Sequence, residues 1–245
     1  MTRGCMLALV VALAGCGDEI VGYLEVSGSG GGEGTSGVLD GTSSSSGGDT
    51  IGLIPPTCID DDFEDGVVDP NLWYTWQEAD ATFQEIGGLL KFDPPTFGLN
   101  DTGVVGSDMQ RFPFTNGRAR MRVALPPAVT QPEVIFLQLL DGGTSILSID
   151  LAEGAVHISG SLSPMEQLFF ETFPVDPYPQ FIAIRAEDEL FHFETSDDGI
   201  TYTTLATHDR FAPFLDARAL IMAQTYGDNA MRTIIGVDDY QVCVQ

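Results

Sequence analysis

Basic residues are scarce in this 245-residue chain, which has 10 lysines and arginines, 36 aspartates and glutamates, and a formal net charge of −26. Sequence-independent binding to nucleic acid depends on lysines and arginines that neutralise phosphates, so this deficit excludes that function. A polybasic patch for anionic lipid headgroups is excluded for the same reason. Charged residues nevertheless make up only 19% of the chain, which distinguishes it from a disordered acidic tail.

The N-terminus lacks a long apolar run, because Met6–Leu13 spans only eight residues after the base Arg3. A transmembrane helix needs about 20 apolar residues, so this pattern predicts a secretory signal instead. The run ends in Leu13-Ala14-Gly15-Cys16, which resembles the bacterial lipobox. The resemblance implies a signal peptide over residues 1–15 and acyl chains, palmitate among them, on Cys16. Ordinary signal cleavage near Gly15 is the alternative.

Glycine and serine dominate the next segment, with nine glycines and seven serines in the 22 positions from Ser27 to Gly48. Such a composition buries too little apolar surface to offset the loss of chain entropy. We therefore expect residues 16–56 to form a lipidated flexible tether and residues 57–245 to form the folded domain. A dinucleotide-binding pattern at Gly32–Gly37 is an accident of this composition, because no strand precedes it and no helix follows it.

After Thr57, no segment keeps apolar residues at helical spacing for three turns. Apolar residues instead recur at every second position. In Gly117–Leu125, arginines alternate with apolar residues, as in a strand with one wet face and one dry face. Ten or more short strands at close spacing predict an all-β fold, an antiparallel two-sheet sandwich. Besides Gly117–Leu125, the clearest predicted strands are 133–140, 144–151, 155–159, 181–185, 190–195, 201–207, 219–226 and 232–244.

Cysteines number only four. Cys5 leaves with a cleaved signal and Cys16 carries lipid, which leaves Cys58 and Cys243 in an exported, oxidising setting. These two lie at the start of the first strand and near the end of the last, so antiparallel pairing of the two strands would allow a disulfide. Two free buried thiols are the alternative. Zinc is disfavoured, because no second cysteine or histidine lies near either residue.

Asp61–Gly66 and Asp69–Trp73 resemble the opening of concanavalin A-like lectin/glucanase domains, a family similar to laminin G-like domains. Ile86–Phe92 resembles the strand that follows, Phe181–Tyr202 a hairpin with a Ser-x-Asp-Gly turn, and Val237–Val242 the closing strand. The resemblance implies a jelly roll of two curved sheets over residues 57–245, with Trp73 in its core. Many members of this family bind or cleave glycans.

Catalytic signatures are missing from the chain. Laminarinase-type members carry Glu-x-Asp-x-x-Glu on one strand, which sets the nucleophile and the acid about 5.5 Å apart, and no such trio of acids is found. Glu187–Glu189 falls between two predicted strands and indicates a solvated turn. His-Glu-x-x-His, Gly-x-Ser-x-Gly and phosphate-loop motifs are also lacking. His157, His192 and His208 lie on different strands, so we expect no catalytic residues.

Acidic residues flank both predicted terminal strands. If these strands pair, carboxylates from both converge and invite calcium, which takes six to eight oxygen ligands. Because side chains alternate, Asp61 points away from the others. A solvated acidic edge that discourages strand addition is the alternative. Such a calcium ion would be structural, since the expected function requires no cofactor. The candidate ligands are Asp60, Asp62, Glu64, Asp238 and Asp239.

Two further sets of residues are candidates for ligand binding. Tyr74 and Trp76 offer aromatic faces on which a sugar ring can stack, and Trp76 is the better platform because Trp73 is assigned to the core. Arg118, Arg120 and Arg122 form a basic stripe that suits an acidic glycan. Pairing of these arginines with acids on a neighbouring strand is the alternative.

These patterns indicate a lipid-anchored protein of the bacterial cell envelope, at the outer membrane or cell surface. We expect its domain to bind an extracellular ligand, chiefly carbohydrate, without catalysis. A jelly-roll glycoside hydrolase with unrecognised acids and a structural envelope component are the alternatives. The expected partners are a glycan or another envelope component, with no nucleic acid and with membrane contact through the lipid alone. The chain itself is expected to be a monomer.

Replacing Cys16 by alanine is expected to release the protein from the membrane fraction, because the acyl chains are the only predicted membrane contact. Cell fractionation followed by immunoblotting measures this. Full retention of the C16A variant in membranes would contradict the prediction.

Overall fold

The computed structural model describes residues 57–98, 101–106, 111–142, 144–229 and 231–244. For residues 57, 97–98 and 101–106, the backbone alone is described. The predicted signal peptide, Cys16 and the tether lie outside the described residues, so those assignments stay predictions. Within the described ranges, no helix has the length and apolar composition needed to cross a membrane.

The strands of the described residues form two large antiparallel sheets and one short strand pair. The first sheet contains β1 (Thr57–Asp61), β3 (Thr82–Glu85), β4 (Leu90–Asp93), β7 (Gly117–Leu125), β12 (Phe181–Glu187), β13 (Leu190–Ser196), β14 (Thr203–Asp209) and β17 (Ile235–Val244). The second contains β2 (Trp73–Gln77), β6 (Asp101–Gly106), β8 (Glu133–Asp141), β9 (Ser145–Ala152), β10 (Ala155–Ser163), β11 (Glu166–Pro174) and β15 (Ala217–Thr225). The short pair is β5 (Phe97–Gly98) with β16 (Gly227–Asp228).

Strands distant in sequence lie side by side in both sheets. The eight-stranded sheet has the order β14-β13-β12-β7-β17-β4-β3, with β1 also paired to β17. The seven-stranded sheet has the order β11-β10-β9-β8-β15-β6-β2. The predicted all-β, antiparallel two-sheet sandwich is therefore confirmed.

The core lies between the two sheets and is filled by alternate residues of their strands. On β7, Ala119, Met121 and Val123 are buried, while the arginines between them are half-buried on the other face. Ile135 of β8 and Ile149 of β9 belong to the same core cluster from the opposite sheet. Period-two alternation thus sends one set of side chains into the core and the next set to an outer face.

The two terminal strands pair as predicted. Thr57–Asp61 runs antiparallel to the end of β17, with Cys58 opposite Cys243 and their Cα atoms 4.1 Å apart. The two cysteines form the predicted disulfide. The first and last strands are thereby joined within one sheet.

Trp73 is in the core, as the family resemblance implies. Its indole ring meets that of Tyr240 edge-on, with centroids 4.8 Å apart. The indole Nε1 donates a hydrogen bond to Asp61 Oδ2 at 2.7 Å. Burial raises the pKa of Asp61, although this bond and one from the Phe63 backbone oppose the rise. Asp61 therefore points inward, away from its neighbours on β1, as predicted.

One long strand, β11, is missing from the predicted set. Phe169 and Phe170 are adjacent in it, which hides the alternation that marks the other strands. β11 is an edge strand and most of its residues are exposed or half-buried, so its pattern is weaker than that of a central strand. Its position depends on pairing with β10, which sequence periodicity does not report.

Removing the disulfide is expected to lower the melting temperature strongly. The bond closes a loop with a sequence separation of 185 residues, and the chain-entropy model gives such a loop up to about 5 kcal/mol of stabilisation. Thermal unfolding of the C58S/C243S variant, with reduced wild-type protein as the control, measures the effect. Equal midpoints for the oxidised, reduced and variant proteins would refute it.

Candidate ligand-binding face

The outer face of the seven-stranded sheet is the candidate site. Because Ile135 and Ile149 point into the core, their neighbours Phe136 and Asp150 point to the other side of the sheet. Strand register aligns one residue from each strand in a transverse row about 29 Å long, from six intervals of about 4.8 Å. The transverse row is Trp76, Gly103, Met222, Phe136, Asp150, His157 and Thr172.

One half of this row is apolar. Phe136 and Met222 form a small buried cluster on the outer face together with Val134 and Ala152. Trp76 is half-buried and packs against this cluster from the edge strand β2. Gly103 stands between Trp76 and Met222 in the row and contributes no side chain. The face therefore has a half-buried aromatic ring beside a buried apolar cluster.

Asp150 lies in the middle of the row, opposite Phe136 on β8 and His157 on β10. Its side chain is almost completely buried, with a residue exposure of 3%, and its Oδ1 has no hydrogen-bond partner. Burial raises the pKa of Asp150 well above its usual range, because desolvation penalises the charged form. Burial therefore favours the neutral carboxyl group, which can donate a hydrogen bond.

His157 completes the polar half of the row. Its Nδ1 lies 3.0 Å from Thr172 Oγ1, and its ring stacks on Phe170 with centroids 5.5 Å apart. These two contacts fix the orientation of the imidazole. Burial lowers the pKa of His157, so its neutral form is favoured as well.

An adjacent row on the same face is also polar at its centre. Gln138 Nε2 donates to Ser148 Oγ at 3.3 Å, and Ser159 is paired with Ser148 on the next strand. Tyr74 lies at the edge of this second row and is 66% exposed. The two aromatic residues predicted for sugar binding, Tyr74 and Trp76, thus lie on one face, and Trp76 is the one next to the apolar cluster.

The three predicted arginines lie on the opposite side of the sandwich, on the outer face of the eight-stranded sheet. Each pairs with a carboxylate: Arg118 with Glu194 at 2.9 Å, Arg120 with Asp239 at 3.3 Å and Arg122 with Asp238 at 2.8 Å. Glu194 is buried and also accepts a hydrogen bond from Arg185 Nε at 2.8 Å. These contacts favour the alternative in which the stripe balances acids on other strands.

The predicted calcium ligands are divided between different contacts. Asp238 and Asp239 pair with arginines, while Asp60, Asp62 and Glu64 are exposed. Asp62 Oδ1 accepts a hydrogen bond from the Glu64 backbone at 3.2 Å. In the part of the chain that the structure describes, no group of three or more His, Cys, Asp or Glu side chains is placed to hold a metal ion. The calcium site stays a prediction without a cluster to support it.

Asp150 is absent from the candidate residues that the sequence patterns indicate. The segment Ser148-Ile149-Asp150-Leu151-Ala152-Glu153 has the spacing of Glu-x-Asp-x-x-Glu, but serine stands in the first position. Glu153 is exposed in the turn between β9 and β10, with a φ of 51°, so it follows the end of the strand. The three-acid pattern does not match this segment, because its first position is Ser148. A pattern with a single acid inside an apolar strand does match it, at Asp150.

Comparisons with known proteins identify relatives by fold only. No protein-family model matches the chain, and no curated protein is significantly similar to it in sequence. The catalytic domain of an endo-1,3-beta-glucanase (laminarinase) from Thermotoga petrophila RKU-1 has a TM-score of 0.59 at 9% identity, over 78% of this chain and 98% of that one. Laminarinase from Flavobacterium sp. UMI-01 has a TM-score of 0.58 at 13% identity, over 75% and 98%.

The kappa-carrageenase from Pseudoalteromonas carrageenovora, in complex with an oligotetrasaccharide of kappa-carrageenan, is also similar in fold. Its TM-score is 0.52 at 12% identity, over 81% of this chain and 99% of that one. Identities this low establish the fold alone. The described chain therefore has the concanavalin A-like jelly-roll sandwich that the two laminarinases and the kappa-carrageenase share.

Proposed function

We propose that this protein binds carbohydrate on the outer face of its seven-stranded sheet and does not cleave it. The observation that carries the proposal is the composition of the transverse row, in which an aromatic and apolar half adjoins a polar half with a single carboxyl group. Sugar rings have apolar faces and polar edges, so a surface with both characters suits them.

The absence of a second carboxyl group in the row favours binding over hydrolysis. Glycoside hydrolases generally use two carboxyl groups, about 5 to 5.5 Å apart in retaining enzymes and about 6.5 to 9.5 Å apart in inverting ones. Asp150 is the only acid in the row. Ser148 has no carboxylate to act as a nucleophile or base, and Glu153 lies in an exposed turn. In the other sheet, Glu187 is the last residue of β12, and Asp188 and Glu189 form the turn to β13.

A glycoside hydrolase is the second candidate, and the fold comparisons favour it. Two laminarinases and a kappa-carrageenase share the fold over at least 75% of this chain. Asp150 has the raised pKa that a general acid needs, which supports half of such a mechanism. The missing half is a second carboxylate beside it.

We also propose that the domain works at the bacterial cell envelope. The lipobox-like Leu13–Cys16 supports a lipid anchor, and the Gly/Ser-rich segment within residues 16–56 supports a flexible tether. A tethered domain at the outer membrane or cell surface would meet extracellular glycans without crossing the membrane.

Binding is expected to depend on Trp76. In the full chain, W76A is expected to weaken binding to laminarin, kappa-carrageenan or mucin glycans, whichever the wild type binds, about tenfold. That factor corresponds to about 1.4 kcal/mol of lost apolar contact. Titration calorimetry measures the affinity, and a reducing-sugar assay on the same mixtures measures cleavage. We expect no release of reducing ends.

The matched control is I200A, which removes an exposed apolar side chain from the turn between β13 and β14. This variant should bind like the wild type. Release of reducing ends would replace the proposal with the hydrolase. A wild-type protein that binds none of the three glycans would favour a structural envelope role.

A further inference from the structure

Asp150 is a buried polar group whose hydrogen bonding is incomplete. Its Oδ1 has no partner, although the residue is only 3% exposed. Leaving a buried polar atom without a hydrogen bond costs free energy, so such atoms are rare in folded proteins and call for a specific explanation. Asp150 also lies in the row proposed to contact a ligand, between an aromatic residue and a histidine. A ligand atom that accepts or donates a hydrogen bond would satisfy it.

The surroundings of Asp150 contain few charges. The transverse row has no lysine or arginine, and Phe136 faces Asp150 from β8. His157 faces it from β10, and burial lowers the pKa of that histidine. Tyr178, whose hydroxyl accepts a hydrogen bond from the Gly154 backbone at 2.6 Å, is coupled electrostatically to Asp150 and to Glu153. Among the residues named here, Glu153 in the exposed turn carries a formal charge.

On the basis of the proposed function, we propose that Asp150 determines the specificity of this face: its unpartnered carboxyl group hydrogen-bonds a hydroxyl group of an uncharged sugar, so the site takes neutral rather than anionic glycans.

Two observations support a neutral ligand. The chain carries a net charge of −26, which repels an anionic glycan unless a local cation compensates. The transverse row offers no such cation, and Arg118, Arg120 and Arg122 are paired with carboxylates on the other side of the sandwich. A neutral glycan meets neither obstacle. Its hydroxyl groups can hydrogen-bond the unpartnered Oδ1 of Asp150 while a sugar ring covers the half-buried Trp76.

Two isosteric substitutions in the full chain test the proposal. D150N keeps the size of the side chain and a hydrogen-bond donor, whereas D150L keeps approximate size and removes all hydrogen bonding. The probes are a neutral laminarin oligosaccharide and a sulfated kappa-carrageenan oligosaccharide, titrated at the same ionic strength. We expect the wild type and D150N to bind the neutral probe within about twofold of each other. D150L should bind it about five- to tenfold more weakly, the loss expected for one neutral hydrogen bond.

Each outcome decides between the proposals. If the wild type binds the neutral probe and D150L binds it equally well, the role of Asp150 is refuted while carbohydrate binding stands. Tighter binding of the sulfated probe refutes the neutral-glycan specificity and leaves the binding function intact. If the wild type binds neither probe nor mucin glycans, the proposed function fails, and the specificity falls with it.

A pH series keeps the test valid if D150L does not fold. Raising the pH ionises Asp150 in the wild type and removes its donor, so affinity for the neutral probe should fall on the alkaline side, whereas D150N should show no such loss. The free energies of unfolding of the wild type and D150N should also depend differently on pH, because ionisation of the buried Asp150 is unfavourable in the folded state. Because the folded-state pKa is raised, the wild type loses stability relative to D150N as the pH rises above about 4, and the difference no longer changes with pH below it. Parallel pH profiles for the two proteins would overturn the proposal.

Discussion

The burial of alternate side chains between two antiparallel sheets is the constraint on which the rest of this structure depends. Residues such as Met121, Ile149 and Ile184 occupy the space between the sheets, and the period-two backbone turns their neighbours outward. Because core packing fills the inner faces of both sheets, their outer faces are the ones that can contact a ligand. The pairing of β1 with β17 and the Cys58–Cys243 bond keep both ends of the domain in this arrangement.

The two outer faces have opposite characters. On the eight-stranded sheet, arginines and carboxylates from β7, β12, β13 and β17 satisfy one another, with the buried Glu194 held between Arg118 and Arg185. On the seven-stranded sheet, an apolar cluster lies beside neutral polar groups and one carboxyl group without a partner for its Oδ1. Ion pairs that are already complete leave a ligand few groups to bind. A carboxyl oxygen without a hydrogen-bond partner, beside apolar surface, leaves a ligand more to bind.

Shared architecture with glucanases does not carry their chemistry to this chain. The strand that offers Asp150 has Ser148 two residues earlier, and Glu153 falls in a turn because β9 ends at Ala152. The acid spacing of the glucanase motif is thus interrupted twice along this part of the chain, at Ser148 and at Glu153. The fold supplies the surface, and the side chains on it decide what the surface does.

Local alternation and the small number of cysteines were sufficient to predict the all-β sandwich, the disulfide and, with the family resemblance, the buried Trp73. These features depend on the two-residue period of an extended chain and on a choice among few residues, both of which are visible in one sequence. Tertiary structure alone decided that Arg122 meets Asp238, that β11 extends the sheet and that Asp150 lies between Phe136 and His157. Those contacts depend on the register between separate strands, and the alternation along one strand carries no information about the residues opposite it.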